Sequence, residues 1–310
     1  MKRYSYSLLF ALCSLIGILA TSCSKDEYYG EQPMAYVNFY NAAEVLQQYW
    51  HVGSGPNMRD NMVYINDSVP TGAFSNGNFP VFGGTAAVTT TQRQYPNEVT
   101  STPTGSAVLL PNTYQYMFYM ALAPDSYRFI YTGGNKVYWQ DTTLNLADGS
   151  YTQLYLTEDA EIDRYRIVAV PDERTAAPPG KVKVRVVHLS ADTEPLAITR
   201  VFSDGSNRNE GFPTQLGFAT STDYIALDTL GAAAQFNHVV LQLSPVSAPE
   251  NPLLTAAVPA VSGGSFTVLV VGLRNEASRR AITGYDDTGQ PVYTSFTVNA
   301  NLRTALRRNY

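Results

Sequence analysis

Cysteine is almost absent from this 310-residue chain, which holds only Cys13 and Cys23. No internal disulfide framework can be built from so few thiols, so stability has to come from buried apolar cores. Charge is scarce too, at 15% of residues, and the net charge of −5 comes without any basic run. That excludes the electrostatic footprint of a nucleic-acid binder. Three histidines, His51, His188 and His238, leave little material for an imidazole-based metal centre or a Ser-His-Asp constellation. Long apolar runs are missing as well. Leu8–Ala20 is the longest, short of the roughly 20 residues that a spanning helix needs.

What is present begins at the N-terminus. Lys2 and Arg3, the apolar stretch Leu8–Ala20 and the small residues Ala20-Thr21-Ser22 stand in the order of a secretory signal. A cysteine directly after small residues resembles the lipobox of bacterial lipoproteins. The resemblance implies cleavage after Ser22, leaving Cys23 as a diacylated first residue and a net charge of −7 once Lys2 and Arg3 are gone. Two acyl chains, at about 0.8 kcal/mol per buried methylene, hold such an anchor without a membrane span. Ser24-Lys25-Asp26-Glu27 resembles the short charged signal that sends some Gram-negative lipoproteins to the outer face of the outer membrane. The expected partner is therefore the membrane itself, through lipid on Cys23, with the folded part facing the cell exterior.

Tyr (22), Gly (22) and Pro (18) are plentiful, a balance of strand and turn formers rather than of a disordered chain. Short strands are expected at Met34–Tyr40, Met62–Asn66, Tyr114–Ala121, Tyr127–Tyr131, Tyr151–Leu156 and Arg164–Val170. A second series covers Val182–Leu189, Ile198–Phe202, His238–Leu243, Phe266–Val271 and Val292–Val298. Turn pairs such as Pro124-Asp125, Asp148-Gly149 and Gly263-Gly264 bound them. Asn41–Trp50 could add one helical turn. Pro171–Lys181 is polar and proline-rich, as a stiff spacer would be. The expected organisation is a signal (1–22), a tether (23–33), a first β-sandwich (34–170), a linker (171–181) and a second β-sandwich (182–310). Both sandwiches are expected to be antiparallel and immunoglobulin-like, joined end to end.

The halves read as diverged copies. Val37–Ala43 echoes Val184–Ser190, Tyr119–Leu122 echoes Tyr224–Leu227, and Asp148–Tyr155 echoes Gly263–Val270. An insertion near 83–107 lengthens the first copy. In the second copy, Val184-Arg-Val-Val-His-Leu-Ser-Ala-Asp192, a following strand closing in Asp204-Gly205, and the glycine-led Gly264–Gly272 carry a resemblance. They are similar to the domain-of-unknown-function family 4397, well over Lys181–Arg274 and weakly over Met34–Val170. Ala191 stands where that family usually has proline, and Asn41 of the first copy stands where His188 does. The resemblance implies β-sandwich modules of secreted and lipid-anchored bacterial proteins, and no activity.

Candidate chemistry is thin. His188 shares a strand face with Val182, Val184 and Val186, which reads as a hydrogen-bonded structural histidine. The acidic run Glu158–Asp163 has carboxylates in alternation but lacks the glycine of a calcium loop, since Arg164 is there. It reads as a solvated hairpin tip. No metal, cofactor or catalytic set is expected. Asp67-Ser68-Val69, Asp141-Thr142-Thr143 and Asp228-Thr229-Leu230 resemble O-glycosylated triplets of such bacteria. The aromatics are lopsided: both tryptophans and 16 of 22 tyrosines lie between Cys23 and Val170. In Tyr114–Tyr119 and in Val137-Tyr138-Trp139-Gln140 aromatic rings point to both strand faces, so some are expected outside a single core. Trp50, Trp139 and Tyr138 are the candidate ligand platform. The expected function is non-enzymatic: a surface binding or adhesive module for a glycan or another surface protein. The alternative is a glycan-binding accessory of an outer-membrane nutrient importer. Edge strands such as Val292–Val298 would suit strand addition to a partner.

Overall fold

The computed structural model describes residues 32–45, 48, 62–66, 94–95, 119–132, 138–230 and 237–309. Cys23, expected to carry lipid, Trp50, His51 and the insertion near 83–107, apart from Gln94–Tyr95, lie outside them. The described chain is all β. Glu44, Val45 and Gln48 alone have helical backbone, in the stretch expected to make one turn.

Two units repeat one strand plan. In the first, β1 (Ala35–Asn41) lies at the centre of a sheet, parallel to β7 (Tyr151–Glu158), which pairs antiparallel with β8 (Tyr165–Asp172). Two short strands, β3 (Gln94–Tyr95) and β4 (Met120–Leu122), pair along β1. The opposing sheet is β2 (Met62–Ile65), β5 (Ser126–Thr132) and β6 (Tyr138–Asn145) in that order. In the second unit, β9 (Lys181–His188) runs parallel to β16 (Ser265–Val271), which pairs antiparallel with β19 (Arg303–Arg308). There β12 (Thr220–Ser221) and β13 (Ile225–Asp228) pair along β9. Its opposing sheet is β11 (Asn207–Arg208), β10 (Leu196–Val201), β14 (His238–Pro245) and β15 (Leu254–Pro259). The expectation of purely antiparallel sheets is thus corrected by one parallel pair in each unit. A parallel partner needs a long crossover, and here the chain crosses through the opposing sheet before it returns.

Registers decide how the copies align. Gly149 and Gly263, at φ 69° and 83°, close equivalent turns. Gly149 N–H donates to the Met34 carbonyl, and Gly263 N–H to the Lys181 carbonyl. The Asp148/Gly263 echo seen in sequence is therefore one residue out of step, and the true partner of Phe266 is Thr152 (opposite Val184 and Val37, respectively). A slip of one exchanges the faces of a strand. That is why Phe266 is core while Tyr151 points away from the core of its own sandwich.

Three buried layers separate four stacked sheets. Val37, Phe39, Phe129, Leu154 and Leu156 fill the first sandwich. Val184, Val186, Leu241, Phe266 and Val268 fill the second. Between the two sandwiches, Tyr40, Tyr155, Val168 and Val170 meet Val187, Leu189, Leu269 and Val271. The units are packed sheet against sheet, which corrects the expectation of an end-to-end pair. Burial of both faces also explains why β16 reads as a nearly continuous apolar run, Val268–Val271.

One element crosses over. Between β16 and β19 the chain sends out a hairpin, β17 (Ala277–Tyr285) and β18 (Pro291–Val298). Its Ala281 and Val298, with Leu273 at its root, complete the core of the first sandwich. Arg279 Nη1 donates to the Asp159 and Glu161 carbonyls at 2.8 and 3.1 Å. Arg280 N–H donates to the Ile162 carbonyl at 2.7 Å.

Candidate functional site

Alternation along β1, β7, β9 and β16 assigns each second residue to the seam between the sandwiches. One half of that seam is the apolar patch just described. The other half is polar, and it closes around Asp172 at the end of β8. The Asp172 side chain has no exposed surface, and Arg185 lies 3.2 Å from its Oδ1 with 3% of its own side chain exposed. Tyr224 donates to Oδ1 at 2.6 Å, and Gln153 and Asn309 each donate to Oδ2 at 2.7 Å. Tyr119 donates to the same oxygen. Tyr119 and Tyr224 stand at equivalent places in the two copies, just before β4 and β13. The carboxylate therefore joins the copies symmetrically.

Electrostatics follow from that enclosure. Burial by itself raises the Asp172 pKa, but Arg185, the two tyrosine hydroxyls and Asn309 outweigh it and hold the carboxyl below its usual range. Burial and the same carboxylate push the Tyr119 and Tyr224 hydroxyls well above theirs. A carboxylate with this many donors is locked as an ion and is no general base. Further along the seam Arg307 of the second sandwich reaches Gln153 at 3.3 Å and Asn38 at 2.5 Å on the first.

Two flanks open at the polar end. On the second sandwich a cavity of about 340 Å³ is lined by residues that include Asp172, Lys183, Arg185, Thr222 and Tyr224. Lys183 is committed there, to Glu173 at 3.3 Å and Thr175 at 2.5 Å. On the first sandwich Tyr36 and Tyr151 stack with centroids 4.5 Å apart at 8°, and Tyr119 stands edge-on to Tyr151. Arg174 lies 5.8 Å from the Tyr119 centroid and 5.9 Å from that of Tyr151. The segment after β8 alternates, so Glu173 and Thr175 serve Lys183 while Arg174 serves the rings.

The sequence-derived platform looks different in three dimensions. Trp139 is 5% exposed and packs edge-on against Tyr165, so its ring belongs to the first core and offers no surface. The physical reason is the crossing hairpin, which lies over that end of the sandwich. Tyr138 is half-buried and donates to Asp141 at 2.6 Å, beside the Arg128–Asp141 ion pair at 2.5 Å. Trp50 lies outside the described residues. The tyrosines that do meet at the surface, Tyr36 and Tyr151, were legible only as strand residues, because their alignment depends on the parallel β1–β7 register.

Other candidates resolve as structure. His188 is fully buried, accepts from Ser190 N–H through Nδ1 at 3.3 Å, and points Nε2 at the Glu194 carbonyl at 3.4 Å. Burial lowers its pKa, which keeps it neutral. The acidic tip has Asp159 paired with Arg166 at 3.0 Å, while Arg279 takes its carbonyls. Among the described residues no three His, Cys, Asp or Glu converge as a metal site, and no helix is long and apolar enough to cross a membrane. Thr229 of one O-glycosylation triplet is buried and donates to the Gly180 carbonyl at 2.8 Å.

No curated protein matches the chain. A family model matches residues 107–199, a stretch that spans β4–β9 and part of β10; it overlaps the weaker part of the resemblance noted above over 107–170 and the stronger part over 181–199. That similarity, covering under half of the chain, is to the family described as Domain of unknown function (DUF4397).

Proposed function

We propose that this is a lipid-anchored protein of the bacterial outer membrane, non-enzymatic, which presents two fused β-sandwiches outward as a binding module. The reading of the anchor rests on Cys23 and the signal-like residues before it. The reading of the binding role rests on one observation above all: the open polar end of the seam. There a locked ionic core carries half-exposed tyrosines and an exposed arginine on a braced scaffold. Binding groups held by packed strands stay in position without a loop to order. The second reading, a glycan-binding accessory of a nutrient importer, draws on the same corner, since flat tyrosine pairs with polar edges suit sugar rings.

Cells expressing the full chain should incorporate an alkyne-tagged palmitate, and Cys23→Ala should not. Protease added to intact cells should remove the folded part. Wild-type protein without label, or digestion only after lysis, would overturn the anchored, outward-facing assignment.

A further inference from the structure

We infer that the corner formed by Tyr36, Tyr151 and Arg174 binds a carboxylate-bearing sugar, an inference that rests on the glycan reading just given. Arg174 is exposed, and among the described residues it has no ion pair and no hydrogen bond. Its recorded contacts are the rings of Tyr119 and Tyr151. A ring contact uses the π face of a guanidinium and leaves its in-plane N–H fork for a carboxylate.

The two nearest acids along the chain do not compete for it. Asp172 is saturated inside the seam, and Glu173 is tied to Lys183 on the opposite side. Lys183 is thereby withheld from the corner, which is left with one uncommitted positive charge. That suits a monocarboxylate better than a phosphate dianion. Beside the charge, the parallel Tyr36–Tyr151 pair, half-buried and spaced by strand register, supplies an apolar surface for a pyranose. Charge and rings together select an acidic sugar.

The test uses the full lipoprotein in detergent on a glycan array. It carries oligosaccharides ending in glucuronate, galacturonate or sialic acid, their methyl esters, and the neutral parents. The acids should bind about tenfold or more tighter than the esters, the scale of one charge-assisted bidentate contact. Arg174→Gln should abolish that preference without shifting the melting temperature, Arg174→Lys should restore part of it, and Tyr36→Ala should weaken acid and ester alike. Equal binding of acids and esters, or a preference that survives Arg174→Gln, overturns the inference and leaves glycan binding standing. A blank array overturns both.

Discussion

At the scale of single residues, the groups that matter most are buried ions in a chain that has few of them. Asp172 is held by four side-chain hydrogen-bond donors, the Glu173 N–H and Arg185. Asp172→Ala strands that guanidinium in the seam, so a loss of about 3–5 kcal/mol is expected from the denaturant midpoint. Because its folded pKa is depressed, its contribution is present above the ordinary carboxylate range and is lost as pH falls through the folded value. Glu158 has the opposite sign. Buried behind the Val45 N–H, with Glu44 nearby, its pKa is raised from 4.5 to about 7. The folded state holds that proton while the unfolded chain releases it, so stability is full below 4.5 and declines as pH rises to about 7. Glu158→Gln keeps an oxygen for Val45 N–H. Its stability should exceed wild type at pH 8, with the gap closing toward pH 4.5 in paired urea melts. A constant gap across that window would contradict the assignment.

At the scale of elements, strand existence was legible and strand environment was not. Alternation of Val with Lys and Arg in β9 reads as a half-exposed strand, yet Arg185 is 2% exposed because a second sandwich lies over it. β19 (Arg303–Arg308) escaped notice for the same reason: three arginines in six residues do not look like a strand in a covered sheet. The hairpin β17–β18 was half seen, since Val292–Val298 reads as a strand, but its service to the other sandwich has no sequence signal. Replacing 276–299 by a short turn should expose the first core around Trp139 and Tyr165. Limited proteolysis would then cut within β5–β8 faster than in wild type, although the deletion lies in the second copy. Val298→Ala, milder, should cost about 1–3 kcal/mol through transfer and cavity terms. Cleavage confined to the second sandwich would refute this bracing.

At the scale of the whole molecule, the apolar patch, the Asp172 hub and the crossing hairpin tie the copies together. One cooperative unfolding transition is therefore expected, with the calorimetric and van't Hoff enthalpies equal. Two separated transitions would show that the sandwiches fold as independent beads. Separately produced 24–180 and 181–310 should each expose one apolar sheet face and associate on mixing.

The sequence by itself determined the all-β class, most strand positions and a structural His188. These follow from local periodicity and composition, which need no knowledge of what packs where. Tertiary structure alone decided that Trp139 is core, that Asp172 and Arg185 meet, and that Tyr36 stacks on Tyr151. Each of those depends on a register between strands more than 100 residues apart or on a second layer covering a face. Alternation along one strand tells which residues share a side, and only packing tells whether that side meets water.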